Sequence, residues 1–316
     1  MSLSAFALGQ SKVEIIAHRG ASGYVPEHTC EAVAMAHAMG ADWIEQDVVL
    51  TKDDVPIVMH DIHLDTISDV ADLFPDRQRE DGRYYAIDFT LEEIKQLTAS
   101  ERFHPKTGRA VYPSRFPVKT GQFKIPTLAE ELFLIQGLNR STGRSAGIYP
   151  ELKHPKFHHD EGKDLAAIVL KVLNEHGYTN RDHACIIQCF EWPEVTRLRD
   201  ELKCDLKLVY LSDGKDWQSL SSEDLTTEFE KIAATADGIG PNVSKLFELA
   251  DDGVQANGII ATAHQAGLMV HPWTFRQDGV AKPFASFEQM HEVAREFQLD
   301  GLFTDFPDLS HQLLNE

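Results

Sequence analysis

Four short motifs carry the residue types from which phosphoryl chemistry is built. His18-Arg19-Gly20, Glu45-Gln46-Asp47 and His60-Asp61 crowd into the first fifth of the chain, and Glu151-Leu152-Lys153 comes later. Hydrolysis of a phosphodiester asks a protein for cations that hold the phosphoryl oxygens and for two groups that take and give protons. Two histidines, an arginine and a lysine meet both needs. Three carboxylates gathered in one place are costly to bury unless paired or bound to a cation, and such an oxygen set suits a hard ion such as Ca²⁺ or Mg²⁺.

Each motif lies in, or ends, an apolar strand-like run. Runs at 14–17, 43–50, 56–59, 147–152, 185–190, 206–211, 237–240, 268–275 and 301–306 alternate with helical patterns at 28–39, 127–138, 161–176, 193–202, 223–236, 255–266 and 286–298. Such alternation, sustained to the end of the chain, predicts an α/β fold of the (β/α)₈ TIM-barrel type, with parallel strands inside and helices outside. No Gly-x-Gly-x-x-Gly follows the first run, which argues against a dinucleotide-binding sheet. Barrel chemistry gathers at the C-terminal strand ends. Residues two apart on a strand share a face, so Glu45 pairs with Asp47 and Glu151 with Lys153.

Nine runs compete for eight barrel places. The 51–55 link between the second and third runs is too short for a helical crossover, so one of those two must break the alternation. Residues 64–122 are rich in Pro, Tyr, Arg, Gly and Asp, with one short helix expected at 90–97. They read as an irregular, partly helical insertion over one barrel mouth, within a single domain spanning 1–316. Loops of that length often act as lids.

With 42% hydrophobic residues and a formal net charge of −20 over 316 residues, the chain suits a well-buried globular core. The acidic excess is the wrong sign for a nucleic-acid or anionic-membrane contact face, and an anionic substrate would need cations supplied by the site itself. No run approaches the ~18 apolar residues of a membrane-spanning helix. Ala5-Phe6-Ala7 has the small-x-small form of a signal-peptide cleavage site. Cys185 and Cys189 would stand ~13 Å apart on one strand, too far to bridge, so free thiols are expected.

These motifs resemble the glycerophosphodiester phosphodiesterases, a branch of the barrel-shaped phospholipase C-like phosphodiesterases. The resemblance rests on His18-Arg19-Gly20-Ala21, Pro26-Glu27-His28-Thr29, Glu45-Gln46-Asp47, Leu50-Thr51-Lys52-Asp53, His60-Asp61, Glu151-Leu152-Lys153 and Gly301-Leu302-Phe303-Thr304-Asp305-Phe306-Pro307, and covers nearly the whole chain. The stretch from Asp81 to Thr90 and Phe157-His158-His159 are similar to the bacterial periplasmic type. The resemblance implies hydrolysis of deacylated phospholipids such as glycerophosphocholine to sn-glycerol 3-phosphate and an alcohol. It implies His18 and His60 as the acid–base pair, Glu45, Asp47 and Glu151 as ligands of one divalent ion (Ca²⁺, with Mg²⁺ as alternative), Arg19 and Lys153 as phosphate-facing cations, and a periplasmic location. The nucleophile is either the neighbouring glycerol hydroxyl, through a cyclic phosphate, or water directly.

Other residues carry weaker signals. Trp273, on the eighth run with His271 and just before Arg276, could wall a glycerol subsite or fill the barrel core. His63, His158 and His159 read as surface histidines. A lyase-type relative acting on intact lipid and a non-catalytic surface binding protein are the competing readings.

Overall fold

A computed structural model describes residues 12–251 and 253–315; the Ala5-Phe6-Ala7 tripeptide lies outside the described residues. Along the chain run strands β1 (Glu14–Ala17), β2 (Trp43–Leu50), β3 (Pro56–Val58), β4 (Gly147–Leu152), β5 (Ile186–Cys189), β6 (Lys207–Ser212), β7 (Gly238–Pro241), β8 (Phe247–Ala250), β9 (Gly253–Ala256), β10 (Met269–Val270) and β11 (Gly301–Thr304). Eight of them pair in parallel in the order β10-β7-β6-β5-β4-β2-β1-β11. The last seam is drawn together just beyond β10, where the Phe303 N–H donates to the Pro272 carbonyl at 3.0 Å and the Phe275 N–H to the Phe303 carbonyl at 2.8 Å. The result is the nearly closed (β/α)₈ barrel that the alternation implied. β10 is shorter than the 268–275 run because Pro272 has no N–H to give to a ladder.

The ninth run is the one that breaks the pattern. β3 folds back antiparallel on β2, with Val48 opposite Val58 and Leu50 opposite Pro56. β2 overshoots the barrel rim to make this hairpin, since its pairing with β4 ends at Val48–Leu152. The return places the Met59 N–H on the Asp47 carbonyl at 2.8 Å. His60 therefore reaches the barrel mouth from an antiparallel strand, level with Asp47.

Period-two alternation sorts the barrel's side chains. Ile16, Tyr149, Ile186, Val209, Leu211 and Phe303 point inward and fill the interior, with Trp43 and Trp273 packed on them. One step higher on the same inward faces stand His18, Asp47, Glu151 and Asp305. Gly147 makes room in this layer: a Cβ there would sit 2.3 Å from the Trp43 ring. The outward faces pack against the helices in a second, larger cluster that includes Ile15, Ile44, Val48, Ile148 and Ile187.

Helix starts follow their caps. Thr127 and Glu130 form a reciprocal capping box on Leu128–Thr142, and Gly143 ends it in the left-handed region. Leu165, Val169 and Leu173 recur every four residues on Leu165–Glu175 and are buried as one stripe, each stabilising by roughly 1.5–3 kcal/mol. The helix expected at 161–176 forms at Leu165–Glu175, and a short helix that was not expected, Pro155–Asp160, precedes it; Gly162, at φ 77°, separates them. The expected 255–266 helix begins only at Ile259, after Gly258 at φ 90°; its first residues belong instead to the β8–β9 hairpin. A C-terminal helix, Pro307–Asn315, was not expected; proline at its first turn is the signal that marks it.

Residues 64–122 carry a small core of their own. Leu64, Ile67, Val70, Phe89, Ile94 and Leu97 pack with Ile57 and Met59 of the hairpin and Val49 of β2. The helix expected at 90–97 forms at Leu91–Gln96, behind a Thr90–Glu93 capping box.

One buried carboxyl leads to a stability prediction. Gln46, between the two inward acids of β2, points outward to fully buried Glu131, and neither carboxylate oxygen of Glu131 makes a well-formed hydrogen bond. Burial lifts this carboxyl well above its usual 4.5, so it stays protonated in the fold. The folded state then holds a proton that the unfolded chain loses above pH 4.5, so stability falls as pH rises past that point, by up to about 1.4 kcal/mol per pH unit. Glu131→Gln is expected to raise the Tm at pH 7.5 and to lose that advantage by pH 4. An equal gain at both pH values in calorimetry would refute the account.

Candidate active site

The first motif ends β1 in a tight turn. Arg19 and Gly20 both take positive φ, 58° and 76°. Only glycine fits the second place, because a Cβ on Gly20 would come within 2.7 Å of the Ala32 backbone. Arg19 bears the strain of a left-handed non-glycine residue, held by its N–H donating to Glu45 Oε2 at 2.6 Å. Its guanidinium donates to Glu27 at 3.0 Å and lies 3.3 Å from Asp47. Those carboxylates keep Arg19 firmly protonated despite its burial.

β2 and β4 supply the acids. In register, Asp47 stands beside Glu151. Lys153 Nζ lies 2.6 Å from Glu151 and 3.5 Å from Asp47. His28 Nε2 donates to Asp47 Oδ2 at 2.7 Å. Glu45 is raised well above the carboxylate range by burial and by the charges of Asp47 and Glu151, against the pull of Arg19. Glu151 rises to about 7 through burial, with Lys153 opposing and Asp47 adding. Asp47 is held low because Lys153, His60 and His28 outweigh its burial. The local cations thus leave carboxylate charge uncompensated, which is what a divalent ion neutralises. An all-carboxylate set fits a hard ion. Glu45, Asp47 and His28 bring ligand atoms within 4.8 Å of one another. His28 Nε2 is engaged by Asp47 and so supports that carboxylate, while Glu151 stands beside Asp47 in register, with Lys153 reaching both. A second such group, His159, Asp164 and Glu194, is already bridged by Arg197, whose guanidinium lies 2.5 Å from Asp164 and 2.8 Å from Glu194.

The two histidines have matching supports. His18 Nδ1 donates to Asp305 Oδ1 at 2.6 Å, and His60 Nδ1 to Asp61 Oδ1 at 2.6 Å. Each bond fixes the ring and leaves Nε2 as the acceptor nitrogen. Burial and the Arg19 charge lower His18 to about 4, partly offset by Asp305. His60 falls to about 3 through burial, Arg19 and Lys153. Both rings are neutral at pH 7, as a proton acceptor must be.

One cavity of about 520 Å³ is lined by His18, Arg19, Glu45, Asp47, His60, Glu151, Lys153 and Trp273, a volume in the usual small-molecule range of about 300–1,000 Å³. Its apolar wall includes Phe190, Leu211, Val243 and Phe303. Trp273 both lines this cavity and packs on the barrel interior; it donates from Nε1 to the Gly240 carbonyl at 2.8 Å and stands edge-on to Phe190. Arg276 also lines the cavity and donates to Asp305 Oδ2 at 2.7 Å. His271 does not; it lies in the barrel floor against the Tyr149 hydroxyl. His158 is a correction, because it is buried rather than on the surface, carried inward by the short Pro155–Asp160 helix.

Sequence reasoning assigned no role to Asp61, Asp305, Glu27 or His28, although each stands inside a quoted motif. Arg102 and Arg115, which reach all three of these carboxylates, lie in the irregular 64–122 segment, where no periodicity marks them.

The barrel and its mouth define a phosphodiesterase of the TIM-barrel class. Residues 18–309 match the glycerophosphoryl diester phosphodiesterase family. A glycerophosphodiester phosphodiesterase of Haemophilus influenzae is 41% identical, over 95% of this chain and 89% of the relative. One of Treponema pallidum is 36% identical, over 96% and 92%. A crystal structure from Silicibacter pomeroyi, a putative glycerophosphoryl diester phosphodiesterase, superposes with a TM-score of 0.72 at 25% identity, over 96% of this chain and 94% of that one. An Oleispira antarctica phosphodiesterase, solved in complex with the product sn-glycerol-3-phosphate, shares the fold at 21% identity, over 96% of this chain and 98% of that one, with a TM-score of 0.66. The chain belongs to the glycerophosphoryl diester phosphodiesterase family. It is a hydrolase of glycerophosphodiesters.

Proposed function

We propose that the protein cleaves glycerophosphodiesters such as glycerophosphocholine to sn-glycerol 3-phosphate and an alcohol, by acid–base catalysis between His18 and His60 and with a divalent ion held by Glu45, Asp47 and Glu151. The observation that carries this reading is the shared cavity: two histidines, each backed by a carboxylate, open into the same space as Arg19, Lys153 and three buried acids. The product seen on the Oleispira protein supports the glycerol phosphate half of the assignment. A hard ion is favoured because every assigned ligand is a carboxylate; Ca²⁺, with Mg²⁺ as alternative, follows from the resemblance to the periplasmic type.

Bound by Glu45, Asp47 and Glu151, the ion would supply positive charge against the phosphoryl group. Arg19 offers a planar fork to the remaining phosphoryl oxygens and Lys153 a point charge. One histidine takes the proton of the attacking hydroxyl through Nε2. The other must carry a proton for the leaving alcohol. Burial, with Arg19 and Lys153 adding repulsion, holds His60 neutral; an anionic phosphate lying between them offsets the cationic part and shifts the ring toward the imidazolium. Trp273 walls the glycerol side against water. The attacking group is the neighbouring glycerol hydroxyl, giving a cyclic phosphate that water then opens.

A headgroup panel with coupled detection of glycerol 3-phosphate, with and without added metal, tests the assignment; release of the alcohol without glycerol 3-phosphate would overturn it. A substrate analogue lacking the glycerol 2-hydroxyl is expected to turn over negligibly. Full turnover of that analogue would eliminate the cyclic route and leave direct attack by water. The chain is further read as one catalytic domain, with 64–122 as its insertion, acting in the periplasm. The Asp81–Thr90 and Phe157–His159 motifs support that compartment, and cell fractionation checks it.

A further inference from the structure

The 64–122 segment does more than cover the barrel. It sends two arginines inward, and each ends on the carboxylate behind a different histidine. Arg102 Nη1 lies 2.5 Å from Asp61 Oδ2, the oxygen that His60 does not use. Arg115 Nη2 lies 2.6 Å from Asp305 Oδ2, the oxygen that His18 does not use. In both cases one carboxylate oxygen serves the histidine and the other an arginine of the segment. With both oxygens engaged, the carboxylate plane is fixed, and the imidazole bonded to it is fixed in turn.

We infer that Arg102 and Arg115 form a positioning clamp, by which residues 64–122 hold His60, through Asp61, and His18, through Asp305, in their working orientations. The inference rests on the reading of His18 and His60 as the acid–base pair. Burying a guanidinium is costly unless its donors are satisfied, and both are. The Arg115 side chain is 3% exposed. Its fork also reaches Asp278 and the Ser22 carbonyl, and its plane lies 3.8 Å from the Tyr112 ring centre. Arg102 further donates to Glu27, the carboxylate that holds Arg19. Backbone bonds anchor both arginines within the segment: the Phe103 N–H donates to the Thr66 carbonyl, the Val111 N–H to the Arg102 carbonyl, and the Arg115 N–H to the Tyr112 carbonyl.

A clamp predicts damage to the reacting geometry rather than to the fold. Misplacing a catalytic group by about 1 Å costs up to about 100-fold. Arg115→Ala is therefore expected to lower kcat by about 10- to 100-fold with little change in KM, and added guanidinium chloride at non-denaturing concentration is expected to restore kcat saturably. Arg102→Ala is expected to lower kcat similarly, with KM also rising because Glu27 and Arg19 loosen. Should Arg115→Ala not fold, Arg115→Lys serves in its place: it keeps the charge but loses the fork, and an intermediate kcat is expected. Unchanged kcat in both variants, with His18→Ala and His60→Ala inactive, would overturn the clamp alone. Losses that follow the Tm and ignore guanidinium would overturn it equally. Full activity in His18→Ala would instead sink the acid–base reading beneath it.

Discussion

Alanine in place of His18 is expected to lower kcat by about 10²- to 10⁴-fold, the range for loss of a positioned proton-transfer group. The same loss is expected at His60. His18 is bonded to Asp305, which keeps Arg115 and Arg276 on its other oxygen, so the surrounding ion pairs survive removal of the ring. The change should therefore fall on kcat, with KM nearly constant and the folded state intact. Arg19 and Lys153, proposed to face the phosphate, predict the opposite split when altered, since in that role they act in the ground state as well. Steady-state kinetics with glycerophosphocholine and a Tm measured alongside decide the matter. Wild-type kcat in His18→Ala would remove it from the reaction. A kcat loss matched by a collapsed Tm would make its role structural.

Chelation is expected to abolish turnover, and Ca²⁺ to restore it best. The reason lies in the charges on β2 and β4. Glu45, Asp47 and Glu151 are all buried within one cluster; burial lifts Glu45 and Glu151 above the normal carboxylate range, and the charge of Asp47 adds to both. Glu45→Gln separates a metal role from a structural one. The amide oxygen still accepts from the Arg19 N–H, so the turn after β1 is kept. Burial and the charges of Asp47 and Glu151 already favour the neutral form of Glu45 in the metal-free protein, so a neutral amide is tolerated at that place. The fold should hold, whereas metal affinity should fall by more than the roughly 10- to 100-fold seen when a residue merely supporting a ligand is lost. Calorimetric titration with Ca²⁺ reads the affinity and thermal unfolding the stability. Full activity after thorough chelation, or a destabilised variant with normal Ca²⁺ affinity, would refute the carboxylate centre.

Much of this molecule was legible in the one-dimensional pattern. Strand bursts separated by helical periods sufficed for the barrel, because parallel strands buried on both faces read as continuous apolar runs. The spacing of Glu45 with Asp47, and of Glu151 with Lys153, settled which side chains share a face. The same logic began the 161–176 helix too early and missed the short Pro155–Asp160 helix before it, because Gly162 acts through a backbone conformation that hydrophobic period does not register. It also missed the β8–β9 hairpin for a like reason.

What local sequence determined, then, was the inventory: which residue types stand at strand ends, and which faces they take, since both follow from covalent geometry and period two. Which of two runs would turn back was decided only in three dimensions. The overshoot of β2 past the rim depends on where its neighbour β4 stops pairing, and only that return brings His60 level with Asp47. The wiring behind the histidines was likewise a tertiary matter. Arg102 and Arg115 are 41 and 190 positions from the carboxylates they hold. Their segment has no periodic signal, because its residues are placed by ion pairs and a small local core rather than by a repeating helix or strand.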